Sequence, residues 1–197
     1  MNARYEELIG TYVDNKVGIC EQFLSNDLAL LLRQNLIKLE KAEMMRSAGI
    51  GNNQDADAKQ QWRGDKIFWI DNDTNEVSER AFLDQVDDFI LYLNNSCYTG
   101  INAYEFHYAL YETGSSYQRH RDQFQNNTER KFSLINYLNT DWLEEEGGEL
   151  WVYQEGSTVK ILPLMQKAVF FKSDFSEHEV RKSTRPRMSI TGWLKSC

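Results

Sequence analysis

The sequence predicts an α+β fold, with helices packed on the outside of a β-sandwich or barrel. Three observations predict it. Two long segments before Cys97 carry apolar side chains at helical spacing. After Cys97 the chain breaks into short runs rich in β-branched and aromatic residues. Turn signals at Gly114, Gly147-Gly148 and Glu155-Gly156 separate several of those runs, the pattern of a sandwich or barrel.

The first helix is expected over Phe23 to Met45, "FLSNDLALLLRQNLIKLEKAEMM". Ser25, Asn26 or Asp27 can cap its start, and Leu28, Leu32, Leu36 and Leu39 recur on one face. "SAGIGNNQDADAKQ", residues 47–60, is polar and contains glycine, so a loop is expected there. "SERAFLDQVDDFILYLNN" reads as a second helix, capped by Ser78, with Phe82, Val86, Phe89 and Leu93 as its buried stripe. Strands are expected in "NAYEFHYALYE", "RKFSLINYLN", "GGELWVYQ", "STVKILPL", "KAVFFKSD" and "RMSITGWLK". No internal repeat or domain boundary is visible. A single domain over 1–197 is expected, with residues 1–100 as helical support and 101–197 as the β-core.

Composition bounds the function. The 197 residues include ten Phe, ten Tyr and five Trp, and 26% are charged, as in an ordinary globular protein. A net charge of −8 argues against broad binding to nucleic acid. The basic run "RKSTRPR", Arg181 to Arg187, still leaves room for a small acidic ligand. Cys20, Cys97 and Cys197 are scattered and form no Cys-x-x-Cys, which argues against a disulfide framework or a structural zinc site. The start lacks the apolar run of a signal peptide, and the longest strongly apolar stretch, "LALLL", is far too short to span a bilayer. A cytoplasmic protein with no membrane partner is the expectation.

The chemistry concentrates around "YQRHRDQF", Tyr117 to Phe124. On extended backbone, His120 and Asp122 place their side chains on one face. His178, after the apolar run "AVFF", is the candidate third ligand, since a jelly roll brings such distant strand ends together. Two imidazoles and a carboxylate make the facial set suited to non-haem Fe(II). The plain alternative is a surface pair and a solvated histidine. On "RMSITGW", Arg187, Ser189, Thr191 and Trp193 share a face. A buried Arg187 needs an anion, either a bound carboxylate or a core Asp or Glu. Tyr137 and Ile135 share a face on their strand: Tyr137 can offer its hydroxyl to the same carboxylate and Ile135 can pack its methylenes, or both are ordinary core residues. Tyr111 shares a face with His107, which is read as a core histidine rather than a ligand.

In chain order, these signals are His-x-Asp, Tyr-Leu-Asn, Gly-Gly-x-Leu, His, and Arg-x-Ser-Ile-Thr-x-Trp. The series resembles the 2-oxoglutarate- and Fe(II)-dependent dioxygenases. More narrowly, it resembles the oxygen-sensing prolyl hydroxylases and their bacterial relatives. "YETGSSYQRHRDQF", "YLNTDWLEEEGGELWVY", "VFFKSDFSEHEV" and "TRPRMSITGW" carry the match, with "WRGDKIFWID" upstream. The resemblance covers roughly residues 60 to 195.

The resemblance implies a double-stranded β-helix (jelly roll, cupin-like) core with N-terminal helices outside. It implies His120, Asp122 and His178 as iron ligands and Arg187 as partner of the distal carboxylate of 2-oxoglutarate. Tyr137 and Thr191 would support that end, and Tyr111, Ile135, Leu150, Val180 and Trp193 would wall the pocket. Arg63 and Asp65 belong to an Arg-Gly-Asp-Lys segment that precedes a substrate loop, with Asp65 expected to pair with Arg130; Lys131 is an adjacent candidate. The implied cofactor is Fe(II), with 2-oxoglutarate and O2 as co-substrates and ascorbate allowed for as an accessory. The implied activity is procollagen-type or hypoxia-factor-type peptidyl-prolyl 4-hydroxylation of a protein, a translation elongation factor being one kind of target. A free amino acid or other small molecule is the second reading. Nucleic-acid demethylation is disfavoured by the charge and by the lack of a second Arg after Arg187 on the final strand; a non-catalytic cupin-like module is disfavoured by the full ligand set. "QFQNNTE" lacks the Pro/Gly character of the animal enzymes at that place, and "DNDTNE" after "RGDKIFWI" is short and acidic.

Overall fold

The computed structural model describes residues 3–49, 63–123 and 128–196. Most of the loop expected over 47–60 therefore lies outside the described residues.

The chain begins with a helix absent from the expectations above, α1 (Ala3–Asn15). Its signal was present in Tyr5, Leu8, Ile9 and Tyr12, which recur at helical spacing and pack into the core. Strand β1 (Gly18–Cys20) follows. Helix α2 (Asn26–Lys41) takes Ser25 as its cap, whose side chain accepts the Leu28 N–H. It ends before Met45 because Glu43 turns left-handed, at φ 55°. Strands β2 (Arg46–Ser47) and β3 (Asp65–Trp69) lead to helix α3 (Val77–Cys97). Ser78 is not its cap: Glu76 is, accepting the Glu79 N–H at 2.8 Å, while Ser78 donates its hydroxyl to the same carboxylate. Tyr98, left-handed at φ 53°, ends the helix.

Eight strands follow among the described residues, β4 (Ala103–Tyr111), β5 (Tyr117–His120), β6 (Arg130–Tyr137), β7 (Leu150–Gln154), β8 (Ser157–Ile161), β9 (Ala168–Lys172), β10 (Glu177–Val180) and β11 (Arg187–Lys195), with a short 3-10 turn at Glu144–Glu146 between β6 and β7. They form a seven-stranded sheet ordered β1-β9-β6-β11-β4-β3-β2 and a four-stranded sheet ordered β5-β10-β7-β8. Neighbouring strands run antiparallel. Among the described residues, the first hundred thus give three strands to the large sheet besides three helices.

Side-chain alternation sorts the large sheet into two faces. Phe106, Leu134, Phe170, Ile190 and Leu194 pack beneath the helices against Leu8, Phe23, Leu32, Phe82 and Phe89. Each such large apolar side chain contributes about 1.5–3 kcal/mol through burial. On the other face Ile135, Tyr137, Val169 and Phe171 meet Leu150, Val152 and Val180 of the small sheet. The large sheet is the middle layer, and its central strands are buried on both sides. Gly192 on β11 lets Phe106 close over the strand: a Cβ there would lie 2.2 Å from the Phe106 ring and 2.3 Å from the Glu105 carbonyl oxygen.

Candidate metal centre and co-substrate pocket

The open end of the jelly roll lies where β5 and β10 pair. Their register sets His178 directly opposite His120, with ring centroids 4.3 Å apart. Asp122 lies two residues beyond the end of β5. Its Oδ1 lies 3.5 Å from His120 Nε2 and its Oδ2 lies 3.6 Å from His178 Nε2. One ligand atom from each of the three residues falls within 4.8 Å of the others.

The neighbours prepare these side chains for a metal. His120 Nδ1 lies 2.7 Å from the Gln118 carbonyl and His178 Nδ1 lies 3.1 Å from the Ser176 carbonyl. A carbonyl only accepts, so Nδ1 carries the proton in both rings and Nε2 keeps its lone pair. Ser133 on β6 donates its hydroxyl to Asp122 Oδ2 at 2.6 Å, and its oxygen lies 2.9 Å from the Ser173 hydroxyl. Burial alone would push the Asp122 pKa up; His178, His120 and the Ser133 hydroxyl hold it well below the usual carboxylate range instead. Burial drives His178 down to about 4 against the pull of Asp122. The set is two imidazoles that present Nε2 and one ionised carboxylate, the donor chemistry of a facial Fe(II) site.

The other end of the pocket is built by β11. Arg187 is 1% exposed, and its Nε donates to the Gly148 carbonyl at 2.9 Å. Among the described residues neither its Nη2 nor the buried Tyr137 hydroxyl makes a well-formed hydrogen bond, although the two groups lie close enough to interact with one another. The guanidinium carbon lies 5.0 Å from the Tyr137 ring centre and 5.2 Å from that of Tyr111. Among the described residues no carboxylate forms an ion pair with Arg187. The alternative of a core Asp or Glu is not what the fold provides. A buried charge left this way is costly, and an incoming carboxylate would satisfy both Nη2 and the Tyr137 hydroxyl. Gly148, at φ 75°, keeps this approach open: a Cβ there would lie 3.5 Å from Arg187 Cδ and 2.9 Å from the Trp142 ring.

One cleft of about 450 Å³, its mouth included, joins the two ends. His120, Asp122, His178, Arg187, Tyr111, Ile135, Leu150, Val180, Thr191 and Trp193 all line it. Tyr137 sits behind the lining against Arg187. Arg63 and Asp65 also line the cleft, but the expected partner of Asp65 is corrected. Asp65 takes Arg63 through two bonds of 2.7 and 3.0 Å, because residues two apart share a side of β3 and its approach. Arg130 instead binds Glu105 at 2.7 Å and covers the Trp193 ring at 3.5 Å. Register explains the exchange. Asp65 aligns with Tyr111 and so with Arg187, whereas Arg130 aligns with Lys195 at the far end of β11.

Sequence reasoning missed Tyr117, stacked on His120 at 3.5 Å and 17°. Three residues apart on a regular strand, the two would face opposite ways. The β5–β10 register is irregular between His178 and Val180, and nothing in the sequence marks that. Ser133, within β6, and Ser173, just past β9, were missed as well, since a lone serine carries no spacing signal. His107 is buried in the cleft wall, where burial lowers its pKa to about 3.

Residues 106–195, which include the triad and Arg187, match the model of the 2OG-Fe(II) oxygenase superfamily. The human protein "Egl nine homolog 1" is 29% identical over 91% of this chain and 44% of its own length. The chain spans about half the length of the curated relatives it matches. A prolyl-4-hydroxylase from Pseudomonas putida superposes with a TM-score of 0.87 at 28% identity, covering 98% of this chain and 99% of that one. A Trichoplax adhaerens prolyl hydroxylase, solved with a peptide fragment of the hypoxia inducible factor oxygen degradation domain, gives 0.86 at 27% identity, covering 98% and 89%. In sequence, jelly-roll fold and site, the chain resembles the 2-oxoglutarate- and Fe(II)-dependent dioxygenases, and among them the oxygen-sensing prolyl hydroxylases and their bacterial relatives.

Proposed function

We propose that this chain is an Fe(II)- and 2-oxoglutarate-dependent dioxygenase that hydroxylates a prolyl residue of a protein. The observation that carries the cofactor reading is the cleft itself. Its one end is a His-Asp-His cluster, and its other end is a buried guanidinium whose Nη2 makes no well-formed hydrogen bond among the described residues.

His120, Asp122 and His178 would hold Fe(II) through the two Nε2 atoms and a carboxylate oxygen. Bound there, the metal supplies redox chemistry that couples reduction of O2 and loss of CO2 from 2-oxoglutarate, leaving succinate, to insertion of one oxygen atom into a substrate C–H bond. Arg187 grips the distal carboxylate of 2-oxoglutarate with a preorganised planar fork, and the Tyr137 hydroxyl donates to the same group. Thr191, which lines the same cleft on β11, would support that carboxylate. Ile135, Leu150 and Val180 pack the methylenes and exclude water. Ser133 keeps Asp122 ionised and oriented, and the Gln118 and Ser176 carbonyls hold both imidazoles in the metal-binding tautomer.

The peptide reading draws support from the likeness to prolyl hydroxylases along almost the whole chain. It draws further support from the Arg63–Asp65 pair set in the cleft wall. Incubation with Fe(II), 2-oxoglutarate and O2 tests it against hypoxia-factor-type, collagen-type and elongation-factor-type proline peptides, with free proline alongside. The expected result is the mass gain of one oxygen atom on a peptide proline, matched by succinate. Gain on free proline alone would move the assignment to a small-molecule hydroxylase.

A further inference from the structure

Trp193 lines the cleft together with the three candidate metal ligands and is only 5% exposed. Its ring centre lies 5.4 Å from that of His107, which lies 4.8 Å from that of Trp69. The two indoles are themselves 6.2 Å apart. Trp69, last residue of β3, is 49% exposed. Three aromatic rings in mutual contact therefore run from the wall of the oxygen-activating cleft to solvent. Among the described residues, Trp193 Nε1 and His107 Nδ1 both lack a hydrogen-bond partner.

We propose that Trp193, His107 and Trp69 form a redox relay that discharges substrate-free turnover at the protein surface, with Trp69 as its terminus and site of oxidative modification. The proposal rests on the oxygenase reading above. When no substrate is in place, decarboxylation of 2-oxoglutarate consumes one atom of O2 and leaves the other two electrons and two protons short of water. Indole gives up an electron without first losing a proton, whereas burial holds the Tyr111 and Tyr117 phenols of the cleft wall protonated. Charge separation fixes the direction. The Arg130 guanidinium lies 3.5 Å over the Trp193 ring and opposes positive charge on it, as does burial. Water at half-exposed Trp69 stabilises that charge. His107, held neutral by burial, adds no cation between them. Electrons thus pass inward from Trp69, and the oxidised state comes to rest there.

Two outcomes balance the electrons. With a thiol or ascorbate outside, the reductant returns two electrons and two protons through Trp69, and the spare oxygen atom leaves as water. Without a reductant, Trp69 loses two electrons, gains the oxygen of a solvent water and releases two protons. Those two electrons and two protons reduce the spare oxygen atom to water, leaving a hydroxylated indole.

The test incubates the Fe(II)-loaded protein with 2-oxoglutarate and O2 but no peptide, in heavy-oxygen water, with and without a thiol. Succinate is measured beside peptide mapping of every tryptophan. Expected is succinate together with one added oxygen on Trp69, bearing the solvent label and suppressed by the thiol. In Trp69→Phe, the oxidation should retreat to Trp193 and inactivation over repeated turnover should quicken, while initial peptide hydroxylation stays as in the parent. Succinate with an unmodified Trp69, or with an oxygen on Trp69 drawn from O2, overturns the relay but leaves the oxygenase intact. Absence of succinate with and without any peptide sinks the oxygenase reading and the relay with it.

Discussion

His120 and His178 are direct register partners across β5 and β10, their ring centres 4.3 Å apart. Two of the three candidate ligands are thus held by strand pairing, while Asp122 stands in the turn just beyond β5. Preorganised ligands bind without an ordering cost, so metal should stabilise the folded chain by mass action, by about 2.7 kcal/mol at a hundredfold excess over Kd. His178→Ala should abolish the rise in Tm that Fe(II), or redox-silent Mn(II), gives the parent. Calorimetry reads this directly, and an undiminished rise in the variant would exclude His178 as a ligand.

Ser133→Ala removes the hydroxyl that donates to Asp122 Oδ2. Losing such an outer partner typically costs about 10–100-fold in metal affinity. The expected result is a weaker Fe(II) or Mn(II) isotherm with the fold retained by circular dichroism. Equal isotherms would mean that the serine only fills space.

Arg187 carries opposite consequences for binding and stability. Arg187→Ala should weaken 2-oxoglutarate by about 2–5 kcal/mol, the usual effect of truncating one partner of a buried charge pair. The same change removes an uncompensated buried charge from the unliganded protein, so its Tm should hold or rise. Arg187→Lys keeps the charge but loses the fork, and should recover only part of the affinity. A fall in Tm together with unchanged 2-oxoglutarate affinity would assign Arg187 to structure alone.

His107 sets a pH dependence of stability. Its folded pKa is about 3, below the ordinary value of 6.5, so between those values the unfolded chain binds more protons than the folded one. Stability contributed by the neutral ring is complete above 6.5 and is lost as pH falls towards 3, with a slope of up to about 1.4 kcal/mol per pH unit. His178 adds a second loss of the same sign between 6.5 and about 4. Denaturant titrations of the metal-free protein should be shallower in pH for His107→Phe than for the parent. Parallel curves would show that His107 titrates normally.

Gly192→Ala should destabilise by about 1–3 kcal/mol through overpacking, since its Cβ meets backbone oxygen and an aromatic ring that cannot both move. Urea unfolding measures the loss.

Much of this arrangement was legible in the chain, because periodicity reports local geometry. The stripes of α2 and α3, the alternation on β6 and β11, and the convergence of His120, Asp122, His178 and Arg187 all follow from side-chain spacing and from resemblance. The remainder depends on register between distant strands. Asp65 and Arg130 look complementary in sequence, yet strand alignment sets them at different ends of β11. Tyr117 reaches His120 only through an irregular pairing. The cap of α3 passed from Ser78 to Glu76 because a longer acidic side chain reached back to the same backbone N–H groups that a serine serves.

β5, which carries His120, is an edge strand with one full neighbour, β10. Among the described residues its outer side is clipped by the bridge between Arg63 and Tyr117 and by the Gly64 N–H donating to the Ser116 carbonyl. The segment that would greet a polypeptide therefore braces the strand that would grip iron. Thermodynamic reciprocity then applies: whatever factor a bound chain adds to iron retention by tightening that clip, iron must add to the retention of the chain. Under that coupling, starving the protein of metal would loosen its hold on any such chain before any chemistry is attempted.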